Sequence, residues 1–298
     1  MTVAPGPRVP VEGTPGCAAG PDAGLRTWKH RIDLHRAGAG PYPEGMTANH
    51  YRAGPPEPPQ TRIPWLPYRF TRSDGVAAGF YVLFLLLLSF VPINIPGLAT
   101  LLPDPVVAAY VINLAFYAIA GVLAFIAARK YVARESRILA TRPVLTAALI
   151  PIGVILTIIA SMVGVIISGS AETAVNQEAV QGLVTEMSPW LVVPLVVVLA
   201  PFVEEYIFRH LLIGKLSRYW NIWACSILSV LLFASIHIVG KESLSLPVLM
   251  PYIATGAVLV GMYVWAGNNF MLSYGVHAAK NLLSVVLIYA IPPELLQQ

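Results

Sequence analysis

Seven ionisable side chains lie within long apolar stretches in the second half of this 298-residue sequence. A titratable group inside a bilayer is costly to bury and usually serves a substrate, a proton or a metal. The set contains adjacent carboxylates, histidines and basic groups, which together can move protons. Its members are Glu204, Glu205, Arg209, His210, His237, His277 and Lys280.

The adjacent carboxylates belong to the segment 201–209. Four residues of helix turn by about 400°, so Glu205 and Arg209 share a face and can form an ion pair. Glu204 is then left free, and repulsion between two carboxylates in a low dielectric favours a proton on one of them, as general acid–base chemistry requires. A purely structural ion pair would explain Glu205 and Arg209 but would leave Glu204 unexplained.

Two further segments carry histidine at positions that suit a shared site. His237 ends the run 233–237, although a single histidine near a helix end is more often an interfacial residue than a ligand. His277 and Asn281 are four residues apart, which places both on one face of a helix. Each can donate or accept hydrogen bonds toward a common point, so the pair fits a site and a packing contact equally well.

Together the three groups predict a site that activates a water molecule for hydrolysis. One carboxylate of the Glu204–Glu205 pair would take the proton, and a histidine would position the water or share a metal with the carboxylate. Asn281 and one histidine would donate to the developing oxyanion. If zinc takes part, its ligands would be Glu204, His237 and His277; these residue types fit zinc and a metal-free mechanism alike.

The order of the motifs resembles the CPBP family of intramembrane proteases, which includes type II CAAX prenyl endopeptidases and bacteriocin-processing proteins. Glu-Glu-x-x-x-Arg, Phe-x-x-x-His and His-x-x-x-Asn follow one another on separate apolar segments over roughly residues 145–290. The resemblance implies that a glutamate and the histidines activate the water. Lys280, beside the third motif, departs from the family pattern. The three motifs correspond to Glu204, Glu205 and Arg209, then Phe233 and His237, then His277 and Asn281.

Composition predicts that transmembrane helices position these residues. The chain is 56% hydrophobic and only 11% charged, whereas soluble domains carry about 25% charged residues. Apolar runs of about 20 residues can cross a bilayer as helices, which satisfy their own backbone groups. We predict an all-α, polytopic transmembrane helical bundle of about seven spanning helices, over residues 76–95, 105–128, 144–168, 190–213, 222–239, 247–265 and 270–291.

Residues 1–75 contain half of the 26 prolines, which predicts a disordered cytosolic tail before a transmembrane domain of residues 76–298. The stretch 61–70, with Trp65 and Tyr68, has the composition of an anchor along the membrane surface. Lys and Arg are frequent before residue 76, after residue 128 and over 214–221, but are absent from 169–189. The positive-inside rule therefore places the N-terminus in the cytosol and residues 169–189 outside. The Ala-, Gly- and Pro-rich composition favours a bacterial cell membrane.

We therefore predict an intramembrane endopeptidase that hydrolyses a peptide bond in or near the membrane. Its partners would be membrane lipid and a peptide or membrane-protein substrate. The scattered basic residues do not suit nucleic acid, and the sequence leaves the oligomeric state open. Two alternatives remain: a proton-coupled transporter with Glu204, His237 and His277 as a relay, and a catalytically silent membrane scaffold or immunity protein. Asn281 favours the enzyme, because a proton relay needs no oxyanion donor.

Overall fold

The computed structural model describes residues 68–90, 97–169, 175–238 and 245–290. Within these ranges the protein is helical and has no β-strand, and six helices are long and apolar enough to cross a membrane. The prediction of an all-α, polytopic transmembrane bundle is confirmed. Besides one turn at Leu98–Leu101, the helices are α1 (Arg72–Phe90), α2 (Pro105–Ala140), α3 (Pro143–Ser168), α4 (Val175–Glu186), α5 (Pro189–Arg218), α6 (Ile222–Ile236), α7 (Leu246–Trp265) and α8 (Phe270–Ala290).

Several boundaries differ from the predicted apolar segments. The 36 residues of α2 continue through the basic stretch after residue 128, and at 1.5 Å per residue they cover about 54 Å, more than a hydrocarbon core of about 30 Å. α5 runs past residue 213 to Arg218, so Lys215 is a buried helical residue and not a loop residue. Residues 169–189, predicted as a loop, contain α4. These boundaries were wrong because charge ends an apolar run without ending a helix.

Helix α6 has only 15 residues and is shorter than the six candidate spans. Such a helix covers about 22 Å, less than a hydrocarbon core of about 30 Å. Its first turn is capped by Asn221, which accepts from the Trp223 N–H at 2.8 Å, and exposed Trp220 and Trp223 are typical of a membrane interface. A helix of this length that starts at one interface ends before the far side of the hydrocarbon core, so we expect the opposite end, where His237 follows, to lie within the membrane.

Close contacts through glycine bring α3 against both α7 and α8. A Cβ atom at Gly164 would lie 3.0 Å from the carbonyl oxygen of Met250, and one at Gly153 would lie 2.6 Å from a methyl group of Val276. The hydroxyl groups of Ser161 and Thr255 are 2.8 Å apart across the α3–α7 contact. This packing holds α8, which carries His277, against its neighbours.

A group of buried charges that the sequence reading did not single out joins α1, α2, α5 and α8. Lys215 Nζ lies 2.7 Å from Asp74 Oδ2, and both side chains are fully buried. Glu135 Oε2 accepts a hydrogen bond of 2.8 Å from the Phe270 N–H, and its Oε1 lies 3.1 Å from Arg134. Because Phe270 begins α8, Glu135 helps to fix the depth at which His277 lies seven residues later.

Most of the predicted tail, residues 1–67, lies outside the residues that the structure describes. Helix α1 begins at Arg72, four residues before the predicted start. Tyr68 packs inside the protein and not along the membrane surface, with its ring centroid 5.4 Å from that of Tyr131. Burial and the nearby Glu135 carboxylate raise the pKa of the Tyr68 phenol well above its ordinary value. The phenol therefore keeps its proton and donates to the Asn268 carbonyl at 3.1 Å.

Candidate active site

Four of the predicted site residues converge between α5 and α8. Glu204, Glu205 and Arg209 project from consecutive turns of α5, and His277 meets them from α8. Glu205 and Arg209 are fully buried, whereas Glu204 and His277 keep 6% and 4% of their surface exposed. The two slightly exposed groups are therefore the ones that a water molecule could reach.

Glu205 is held between a cation and an imidazole. Its Oε1 lies 3.2 Å from Arg209 Nη1 and 3.0 Å from His277 Nδ1. The guanidinium balances the carboxylate charge, and an ionised carboxylate can only accept, so Nδ1 of His277 carries the hydrogen. In the neutral imidazole, Nε2 is then left with a lone pair. Arg209 and Glu205 thus set the tautomer and orientation of His277.

Glu204 turns its two oxygens to different partners. Oε1 accepts a hydrogen bond of 3.2 Å from the Tyr117 hydroxyl on α2, and Oε2 lies 3.8 Å from His277 Nε2. The second distance is too long for a direct hydrogen bond, but a single water can contact both atoms. Sequence reasoning missed Tyr117 because a lone tyrosine in an apolar segment gives no signal that it faces a carboxylate.

The Phe233 ring lies between His237 and the other site residues, and it contacts both His237 and His277. His237 Nδ1 donates to the Phe233 carbonyl at 2.8 Å, and the His237 ring stacks on Tyr252 with centroids 4.3 Å apart. The Phe233 ring is 4.9 Å from the His237 ring and 5.7 Å from the His277 ring, between centroids. The Arg209 guanidinium carbon also lies 4.4 Å from the centroid of Phe233. Phe233 therefore contacts residues of all three motifs.

Asn281 and Lys280 lie one turn beyond His277 on α8. The Asn281 side-chain amide donates to the main-chain carbonyl of Val196 at 3.0 Å. Lys280 is partly buried, and its side chain is near enough to Glu204 for an electrostatic interaction between the two. Lys280, which departs from the family pattern, is thus near Glu204, the carboxylate that forms no ion pair with Arg209.

His210 does not join this group. It is fully buried next to aromatic rings, with ring centroids 4.4 Å from Tyr131 and 5.0 Å from Phe270. Neither ring nitrogen has a hydrogen-bond partner among the residues that the structure describes. His210 therefore belongs to the packing between α5, α2 and α8.

The three side chains that the sequence suggests as zinc ligands are not arranged as a metal site. In the described ranges, no three or more histidine, cysteine, aspartate or glutamate side chains are arranged so that they could hold one. His277 Nδ1 is bonded to Glu205 and His237 Nδ1 to a main-chain carbonyl, as in histidines that bind a metal through Nε2, so these bonds alone do not argue against zinc. It is the placement of the described side chains that does not fit a site of Glu204, His237 and His277 around zinc, and no step below is assigned to a metal.

The fold and these contacts define an integral, multi-pass membrane protein with a buried carboxylate–histidine centre. Residues 186–283 match the family model of the type II CAAX prenyl endopeptidase Rce1-like proteins. The match includes every residue of the three motifs and leaves α1–α3 outside it. The resemblance to the CPBP family of intramembrane proteases is confirmed by this match. No curated protein and no solved structure matches the chain.

Proposed function

We propose that the protein is an intramembrane endopeptidase of the CAAX protease type in which Glu204 and His277 activate a water molecule. The observation that carries this proposal is the 3.8 Å separation of Glu204 Oε2 and His277 Nε2. Both atoms can accept hydrogen bonds. Tyr117 orients the Glu204 carboxylate by bonding to its other oxygen, and Glu205 orients the His277 ring by bonding to its other nitrogen. A water between Glu204 Oε2 and His277 Nε2 donates one hydrogen to each and directs a lone pair at the substrate.

In the proposed reaction the water oxygen attacks the carbonyl carbon of the peptide bond while Glu204 takes one of the water protons. The tetrahedral intermediate carries a negative oxygen, and the ammonium group of Lys280 adds positive charge to the site in which it forms. Glu204 then gives its proton to the departing amine, and the C–N bond breaks. The second water proton stays on the new carboxyl group, so the products are a carboxylic acid and an amine, which exchange this proton to become a carboxylate and an ammonium group. Glu204 returns to its ionised state.

The contacts of His277 favour hydrolysis over the alternative of a proton-coupled transporter. A relay needs a histidine that can change its tautomer as protons pass, whereas Glu205 and Arg209 hold the proton of His277 on Nδ1. A silent scaffold would have no use for Glu204, a second buried carboxylate beside the Glu205–Arg209 ion pair. For the substrate, we propose a peptide or membrane protein without a prenyl group, since the composition favours a bacterial chain.

The test is peptide-library cleavage by the purified protein in detergent, with Glu204→Gln compared with wild type. Loss of a general base lowers kcat by about 10²–10⁴-fold. Glu186→Gln, which alters an exposed glutamate at the end of α4, is the matched control and should cleave at the wild-type rate. Chelation of divalent ions should also leave the rate unchanged under this mechanism. Cleavage that survives Glu204→Gln, or a wild type that cleaves no peptide, would contradict the proposal.

A further inference from the structure

The hydrogen bonding of α5 changes register just before the carboxylate pair. Residues Pro194–Leu199 form a π-helical turn, and the Ala200 N–H continues this pattern by bonding to the Leu195 carbonyl five residues earlier. In that register the next donor would be residue 201, which is a proline and has no N–H. The carbonyl of Val196 therefore receives no donor from its own helix.

The missing donor comes from another helix. The Asn281 side-chain amide on α8 donates to the Val196 carbonyl at 3.0 Å. A main-chain carbonyl at this depth in a membrane needs a partner, because water is scarce there. One amide hydrogen of Asn281 is thus already used in the protein without substrate.

This bond affects the direction of the catalytic carboxylates. A π turn contains one residue more than an α turn, so it rotates every later side chain by about 100° around the helix axis. Glu204 and Glu205 follow the π turn by only a few residues. If α5 returned to a regular α register, the two carboxylates would no longer face His277.

Asn281 and His277 contact α5 on opposite sides of Pro201, where the register changes. They lie four residues apart on α8, where His277 contacts the carboxylates that follow Pro201 and Asn281 contacts the carbonyl that precedes it. Helix α8 therefore holds α5 at two points, one on each side of the position that lacks a donor.

We propose that Asn281 is a positioning residue that satisfies the carbonyl left open by Pro201 and so maintains the register in which Glu204 faces His277. The importance of Glu204 rests on the proposed function, but the role of Asn281 in the helix does not. This role is separate from that of an oxyanion donor, because it uses one amide hydrogen in the protein without substrate and leaves the second amide hydrogen unassigned.

The test pairs Asn281→Leu with Pro201→Ala, which restores the missing N–H, in a cycle of four proteins in detergent. With Pro201 present, Asn281→Leu should lower the melting temperature by several degrees and kcat by about ten- to a hundredfold, with KM little changed. In the Pro201→Ala background both losses should be much smaller, since the main chain then supplies the donor. Equal losses in the two backgrounds would overturn the proposal.

Asn281→Asp gives an independent test if Pro201→Ala does not fold. It keeps the size of the side chain and removes both N–H donors, so its melting temperature should fall as in Asn281→Leu. A wild-type melting temperature with lost activity would instead mean that the amide acts on the reacting atoms. Asn113→Leu is the control, because the Asn113 amide donates to an exposed carbonyl of its own helix. If the wild type cleaves nothing, the function fails, but the melting temperatures still decide the role of Asn281.

Discussion

Arg209→Ala should destabilise the protein as well as abolish its activity. Arg209 and Glu205 are both fully buried, and their charged atoms are 3.2 Å apart. Removal of the guanidinium leaves the Glu205 carboxylate as a buried charge without its cation, which costs about 3–5 kcal/mol. At about 2–4 °C per kcal/mol for a chain of this size class, the melting temperature should fall by roughly 6–20 °C. Activity should be lost because His277 is no longer held by a fixed carboxylate.

The assay is thermal unfolding in detergent, with peptide cleavage measured on the same preparations. Replacement of both partners, Glu205→Leu with Arg209→Met, should recover much of the stability, since no buried charge is left alone, but should not recover cleavage. Arg137→Ala, at an exposed position of α2, is the control and should melt like wild type. An Arg209→Ala protein with an unchanged melting temperature would refute the reasoning, because it would mean that Glu205 is not stabilised by its cation.

Three further predictions concern the surroundings of the site. Tyr117→Phe removes the hydroxyl that donates to Glu204 and should lower kcat about tenfold. Its control is Tyr110→Phe on the same helix, which loses a 3.1 Å bond to the Leu191 carbonyl and should leave kcat unchanged. Equal effects of the two substitutions would contradict the role of Tyr117. Lys215→Met should lower the melting temperature, because it leaves the buried Asp74 carboxylate without its cation. The double variant with Asp74→Asn should recover part of the lost melting temperature. A Lys215→Met protein as stable as wild type would mean that the 2.7 Å pair contributes nothing to stability. For topology, an impermeant thiol reagent should label Glu186→Cys in intact cells but Arg218→Cys only after lysis, and the opposite pattern would reverse the orientation.

Contacts within one helix could be predicted from the sequence, and contacts between helices could not. The pairing of Glu205 with Arg209 is expected from α-helix periodicity, because four residues complete about one turn. Residues Tyr206–Lys215 are in fact π-helical, and the pair still forms because four residues fall only slightly short of one π turn. The approach of Tyr117 to Glu204 joins residues 87 positions apart, and that of Lys215 to Asp74 joins residues 141 apart. Those distances depend on the angles and heights at which helices pack, which hydropathy does not encode.

The same limit explains the outcome for Asn281. Periodicity correctly placed it on the His277 face of α8, but a shared face does not determine the target of a side chain. The decisive feature for Asn281 is the first of two π segments in α5, Pro194–Leu199, whose register makes Pro201 the residue that does not donate. Pro201 is visible in the sequence, yet a proline alone does not say which carbonyl it leaves open or which neighbour satisfies it.

The contacts along α8 connect the buried charges to the chemistry. Glu135 bonds to the Phe270 N–H at the start of the helix. Four residues, or about 6 Å along the axis, separate His277, which contacts Glu205, from Asn281, which contacts Val196. A slide of α8 by even a residue, about 1.5 Å, would break these contacts together and would alter the 3.8 Å gap between Glu204 and His277. Under the proposed mechanism, the charges that join α2 to α8 are therefore part of what sets the distance between Glu204 and His277, although they lie outside the three motifs. Glu135 of α2 lies outside residues 186–283, so the family match alone does not indicate its contact with the start of α8.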